Sequence, residues 1–189
     1  MKAIVVGTSA GGLNALNVLI SGINFTLNVP VMIVQHSSSS GEHLLPPILQ
    51  EFTGMPVLEA EDKMEILPGH IYIAPPNYHL MVEDDGTLSL STDKKVNYSR
   101  PSIDVLFESA ARFYRKGLVG IILTGANNDG AAGMVAIAEH DGLTIAQDPE
   151  TAEFPYMPEA AISTGKIKLI LSLESIVDQI TGLSGREEI

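Results

Sequence analysis

The chain has no cysteine, which excludes disulfides, thiolate metal sites and a cysteine nucleophile. Tryptophan is also absent and aromatic residues make up only 5% of the sequence, while 45% is apolar, the composition of a globular protein. Basic residues are scarce: 11 Lys and Arg stand against 23 Asp and Glu, a formal charge of -12. The acidic balance argues against nucleic acid and anionic lipid as partners, because both need a basic surface to displace counterions. No apolar run approaches the roughly 20 residues of a membrane helix. The run Ala3 to Val6 breaks at Gly7 with no cleavage pattern behind it, so no signal peptide is read and a cytoplasmic protein is expected. The five histidines show no H-E-x-x-H spacing, and neither a metal nor an organic cofactor is expected.

What the chain does have is a recurrent β-branched pattern. At 189 residues, one domain covering 1–189 is the expectation. Ala3 to Gly7, Pro30 to Gln35, Val119 to Leu123, Leu143 to Ala146 and Ile167 to Leu171 read as buried strands, alternating with helix-period segments. The helices expected are Gly11 to Ser21, a short one ending near Phe52, one on SIDVLFESAARFYRKG, Ala131 to Glu139, and Ser172 to Thr181. The first buries Leu13, Leu16, Leu19 and Ile20; the third buries Ile103, Leu106, Phe107, Ala110 and Phe113. Gly69 to Pro76 reads as a strand stopped by two prolines, and HLMVEDDGTLSLST alternates about Asp85-Gly86, a hairpin signal. The fold class predicted is α/β: doubly wound, with a mainly parallel sheet, helices on both faces and an antiparallel edge hairpin. Met134 and Met157 are expected in the core.

In such a sheet the C-terminal strand ends share one edge, where ligands bind. Ser9 follows the first strand, His36 the second, and Asp129 the Val119 to Leu123 strand. A histidine that takes the serine proton, oriented by a carboxylate, is the requirement of Ser-His-Asp chemistry. Each residue also has a plainer role open to it. Gly7-x-Ser9-x-Gly11 matches a nucleophile elbow, yet a small turn before a helix is also packing plus an N-cap. The apparent order Ser, His, Asp and the first-strand position set it apart from α/β-hydrolase elbows. His36 competes with His43, His70, His79 and His140, of which His79 is the best rival. Asp129, in Asn127-Asn128-Asp129-Gly130, also fits a turn and helix N-cap. The backbone N–H groups of Ala10 and Gly11 could receive an oxyanion or a phosphate. A phosphate loop is disfavoured because GTSAGG fits neither G-x-G-x-x-G nor a Gly-Lys-Ser/Thr pattern.

Taken together, IVVGTSAGG, VQHSSSS and IILTGANNDGAAGM resemble the signature segments of the CheB family catalytic domain, the chemotaxis protein-glutamate methylesterases. GHIYIAPPNYHLMV, RPSIDVLFESAA and AQDPETAEFPYMPEAAI fit the same family in order, so the resemblance spans nearly the whole chain. It implies a doubly wound α/β domain with a triad of Ser9, His36 and Asp129, and backbone donors from Ala10, Gly11 and Ala126. It further implies demethylation of glutamyl γ-methyl esters on methyl-accepting chemoreceptors with release of methanol, and deamidation of receptor glutamines by the same acyl transfer. The sequence departs from the family at three places. Ala10 stands where a hydroxyl residue is frequent, Ala126-Asn127 where Met-Gly is frequent, and Ser37 to Ser40 where Met-Pro often follows the histidine. Regulated members carry an N-terminal receiver domain serving phosphorelay signalling; here the first strand begins at Ala3, so a catalytic domain without the receiver is expected. The departures also motivate a second expectation, a catalytically weak or inert module that binds a signalling partner. Arg100 and Lys94-Lys95 are local counterweights to the acidic balance, or simply solvated loop charges.

Overall fold

The computed structural model describes residues 1–23, 27–36 and 44–184. The chain opens with β1 (Ala3–Thr8), buried at every position because both faces of the strand are covered. It turns into α1 (Gly12–Gly22), then β2 (Val31–Gln35) and the short α2 (Leu45–Gln50). Pro46 and Pro47 sit in the first turn of α2, where a missing N–H leaves no helical bond unmade. Next come β3 (Val57–Glu59), β4 (Ile71–Ile73), β5 (His79–Val82) and β6 (Leu88–Ser91). The second half alternates α3 (Ile103–Tyr114), β7 (Leu118–Ile122), α4 (Ala131–Glu139) and β8 (Leu143–Gln147). It ends with α5 (Tyr156–Ser163), β9 (Leu169–Leu171) and α6 (Leu173–Ser184).

Seven strands form one parallel sheet in the order β3-β4-β2-β1-β7-β8-β9. Side chains alternate across it. Val5, Met32 and Val34 face Ile103 and Phe107 of α3 and Met134 of α4. Ile4, Val6 and Ile33 face Leu16, Leu19 and Ile20 of α1 and Ile176 and Ile180 of α6. Each such fully buried side chain contributes about 1.5–3 kcal/mol, so the sheet is the middle of three layers and the doubly wound expectation holds. Met134 and Met157 are buried, as expected.

The details differ in places. Leu13 is 43% exposed and Phe113 38% exposed, against the expectation that both are core. Successive helical residues turn by about 100°, and a buried face centred on Gly12 and Leu16 leaves Leu13 at its margin. Phe113 instead covers Gly86 and meets Tyr114 edge-to-face at 4.8 Å. The Asp85-Gly86 hairpin forms, with Val82 opposite Leu88, but as a two-stranded sheet of its own. It rests on α3, where Ser109 Oγ accepts from the Val82 N–H at 3.1 Å. One edge of the main sheet is β3, too short to show a period. The helix α5 also escaped sequence reading, its pattern interrupted by Pro155 and Pro158.

β1 is the central strand, flanked by β2 and β7 in parallel register, Thr8 beside Gln35 and Gly7 beside Ile122. The winding reverses at this strand, and the crevice beyond the C-terminal ends is therefore the place for a ligand.

Candidate active site

Ser9 leaves β1 in a turn stitched to both neighbouring strands. Its N–H donates to the Thr124 carbonyl at 3.0 Å, and its own carbonyl accepts from Gln35 Nε2 at 2.8 Å. Gln35 Nε2 also donates to the His36 carbonyl, tying the second strand's exit to the serine. Thr8 Oγ1 donates to the Thr124 carbonyl at 2.8 Å, and Thr124 Oγ1 donates to the Ala10 carbonyl at 3.0 Å. Gly12 is required here: a Cβ would lie 2.0 Å from Gln35 Oε1 and 2.6 Å from Thr8 Oγ1. Gly11, at φ 76, is the N-cap of α1 and lies in the left-handed region that favours glycine. The side chain of Ser9 therefore does not cap α1; only its carbonyl is used, accepting from the Gly12 N–H at 2.9 Å. Among the described residues Ser9 Oγ donates to no group, and the N–H groups of Ala10, Gly11 and Ala126 have no acceptor.

His36 and Asp129 meet. His36 Nε2 lies 2.9 Å from Asp129 Oδ2, with the imidazole 11% exposed and the carboxylate fully buried. Asp129 does not cap the helix that follows it, whose N-cap is Gly130. Its carboxylate reaches instead to the N-terminus of α3, a ready anion site. Oδ2 accepts from the Ile103 N–H at 2.7 Å, and Oδ1 accepts from the Ser102 hydroxyl at 2.8 Å and the Asp104 N–H at 3.2 Å. Burial alone would raise the pKa of this carboxyl, but hydrogen bonds from His36, Ile103 and Ser102 outweigh it and hold it below the ordinary range.

A second carboxylate stands behind the first. Asp104 is buried, its Oδ1 accepting from the Gly133 N–H at 2.7 Å and its Oδ2 from Asn97 Nδ2 at 2.8 Å. Burial pushes it up to about 6; the Gly133 bond opposes this and the neighbouring Asp129 reinforces it.

The rival histidines are occupied elsewhere. His79 is buried, its Nδ1 accepting from the Ser102 N–H at 3.2 Å while Nε2 lies 3.1 Å from the Lys94 carbonyl. It thus supports the Ser102 that holds Asp129. His70 and His140 turn to the carbonyls of Pro68 and Ala136. His43 and Ser37 to Ser40 lie outside the described residues. A cleft of about 140 Å³ opens beside His36, lined also by Asn77, Lys95, Tyr98 and Arg100. Arg100 is partly committed to the loop, donating through Nη1 to the carbonyls of Thr92 and Asp93.

Sequence reasoning missed Gln35, Asn97, Ser102, Asp104, Thr124 and Asn127. The one local signal among them was Ser102-Ile103-Asp104, an N-cap pattern, and even there the hydroxyl is spent on a residue 27 positions away. Among the described residues no three His, Asp or Glu converge as a metal-binding group, and no helix is long and apolar enough to cross a membrane.

An imidazole held by a buried carboxylate, at the reversal of a parallel sheet whose central strand ends in a serine-bearing turn, defines a doubly wound α/β protein with its candidate site at the switch point. The chain belongs to the CheB methylesterase family, whose pattern it matches over residues 4–180. A Leptospira interrogans protein (serovar copenhageni), provisionally named a protein-glutamate methylesterase/protein-glutamine glutaminase, is 46% identical over 177 residues, covering 94% of this chain and 92% of that protein. The Caulobacter vibrioides protein-glutamate methylesterase/protein-glutamine glutaminase 2 is 37% identical, across 93% of this chain but 52% of its own length. The chain thus spans about half of that relative. The crystal structure of the Thermotoga maritima CheB methylesterase catalytic domain superposes with a TM-score of 0.92 at 31% identity, covering 96% of this chain and 98% of that one.

Proposed function

We propose that the protein hydrolyses glutamyl γ-methyl esters on methyl-accepting chemoreceptors in the cytoplasm, and deamidates glutamines there by the same acyl transfer. The observation that carries the reading is the 2.9 Å contact of His36 Nε2 with the buried Asp129 carboxylate. With Nε2 so engaged, Nδ1, which lies 3.1 Å from Asn127 Nδ2, is the nitrogen left to act as base. Ser9 Oγ attacks the ester carbonyl as its proton passes to Nδ1, and a tetrahedral oxyanion forms. The N–H groups of Ala10, Gly11 and Ala126 are the candidate donors for that oxyanion, and as backbone groups they do not depend on which side chains stand there. Collapse breaks the carbon–oxygen bond, and the proton on Nδ1 leaves with methanol. Water then repeats the sequence on the acyl-enzyme, freeing the glutamate and Ser9. An amide substrate differs only in releasing ammonia.

The test is labelling with a serine-directed fluorophosphonate, mapped by mass spectrometry, on the wild type and His36→Ala. Labelling at Ser9 that is lost with His36 supports the reading, and methanol release from methylated receptor fragments then identifies the ester. A folded protein that takes no label at Ser9 would instead favour the inert binding module.

A further inference from the structure

We propose that Asn127 is a positioning residue for His36: its amide holds the ring in the Nε2–H tautomer and caps the Nδ1 lone pair until the Ser9 hydroxyl displaces it. The inference rests on the roles given above to Ser9, His36 and Asp129. Its geometry comes from two bonds made by one side chain. Asn127 Oδ1 accepts from the Asp129 N–H at 3.0 Å, which fixes which end of the amide faces inward. The other end, Nδ2, lies 3.1 Å from His36 Nδ1. An amide nitrogen offers only hydrogens, so Nδ1 is the acceptor and carries no proton. Nε2 faces the Asp129 carboxylate at 2.9 Å, an acceptor, so Nε2 carries it. Two neighbouring residues of one turn therefore grip both ring nitrogens and agree on the tautomer.

The same contact has a second effect. The lone pair that Asn127 occupies is the one Ser9 needs, and Ser9 Oγ donates to no described residue. A doubly protonated imidazole would point its Nδ1–H at the Nδ2 hydrogens, so the amide must withdraw when His36 takes a proton. Asn127 is thus a hydrogen-bond partner for Nδ1 only while that nitrogen bears no proton. Among the described residues, the other charged groups near that ring are Asp129, with Asp104 behind it, and Lys95 and Arg100, which line the same cleft.

The experiment compares wild type, Asn127→Ala and Asn127→Asp. Histidine ¹⁵N spectra, with a search for coupling across the Asn127–His36 hydrogen bond, accompany fluorophosphonate labelling rates from pH 5 to 9. The wild type is expected to show His36 protonated on Nε2 and coupled to the Asn127 amide. Removing one hydrogen bond in Asn127→Ala should speed labelling at high pH on the order of two- to tenfold, and move the acid limb to higher pH. Asn127→Asp keeps an acceptor for the Asp129 N–H but offers Nδ1 a carboxylate in place of a donor. Its labelling should slow, with the acid limb displaced further. A wild-type His36 protonated on Nδ1 overturns the proposal, as does an Asn127→Ala protein labelled more slowly at every pH with an unmoved limb. Absent labelling of Ser9 in all three proteins would instead count against the triad, and the spectra would still decide the role of Asn127.

Discussion

The carboxylate of Asp129 shares a single oxygen between the Ile103 N–H, at 2.7 Å, and His36 Nε2, at 2.9 Å. One atom therefore caps α3 and orients the imidazole. The helix N-terminus favours the ionised form, and that form is what the ring's N–H requires.

Asp129→Asn should separate these effects poorly and damage both. An amide has one oxygen for the five donors that surround the carboxylate, namely His36, Ser102, Ile103, Asp104 and Asn97 Nδ2 at 3.4 Å, so its NH₂ must face at least one of them. Fluorophosphonate labelling of Ser9 should fall by about three to four orders of magnitude, and the buried mismatch should lower stability by about 1–3 kcal/mol. Labelling within tenfold of wild type would sink the assignment of Asp129.

His79→Ala distinguishes support from chemistry. Loss of the Nδ1 acceptor leaves the buried Ser102 N–H unpaired, so a drop in melting temperature is expected. Labelling of Ser9 should persist within about tenfold, because an orienting contact two bonds removed is weakened rather than lost. If His79→Ala abolishes labelling in folded protein while His36→Ala does not, the two histidines have been assigned the wrong way round.

Gly12→Ala drives a methyl into the Gln35 side chain that holds the Ser9 carbonyl. The expected cost is about 1–3 kcal/mol, with slower labelling. Gln35→Ala in the same chain should recover part of the stability, a coupling that a double-mutant cycle on urea denaturation measures. Strictly additive energies would mean that the two side chains do not collide.

Asp104 should show an unusual sign. Its folded pKa is raised from 3.8 to about 6, so the native state keeps a proton that the unfolded chain has released. Its contribution therefore declines as pH rises through that window, and the loss is complete above it. Asp129 has the opposite sign: its pKa is lowered, so its contribution is present above the ordinary carboxylate range and is lost on acidification. Unfolding free energies of wild type and Asp104→Asn, compared from pH 4 to 7, should shift in favour of the variant as pH rises. A difference that stays flat would show that Asp104 titrates normally.

The central strands were legible because parallel strands covered on both faces read as continuous apolar runs: IVV, VMIV and VGII. From their ends Ser9, His36 and Asp129 could be brought to one edge by topology alone. The clamps were not legible. Thr8 reaches Thr124 across 116 positions and Gln35 reaches Ser9 across 26, and no local period marks such pairs. Asn127 looked like turn chemistry and does make a turn, with its Oδ1; only the inward end of the same amide touches the imidazole. The three-residue β3 contains too few side chains to display alternation, whereas β4 lies inside the Gly69 to Pro76 segment that reads as a strand.

β1 lies between β2 and β7, so the serine, the imidazole and the carboxylate come from strands that become neighbours only when the middle of the sheet closes. His36 and Asp129 are 93 positions apart in the chain. Parallel pairings of that span are intrinsically slow to form, because loop entropy must be overcome before they yield contacts. On the proposed roles, a nascent or partly unravelled chain carries Ser9 without the His36–Asp129 pair beside it. Hydrolytic competence arrives with the finished sheet and vanishes at the first loss of its centre, so chemical activity reports directly on the integrity of the core.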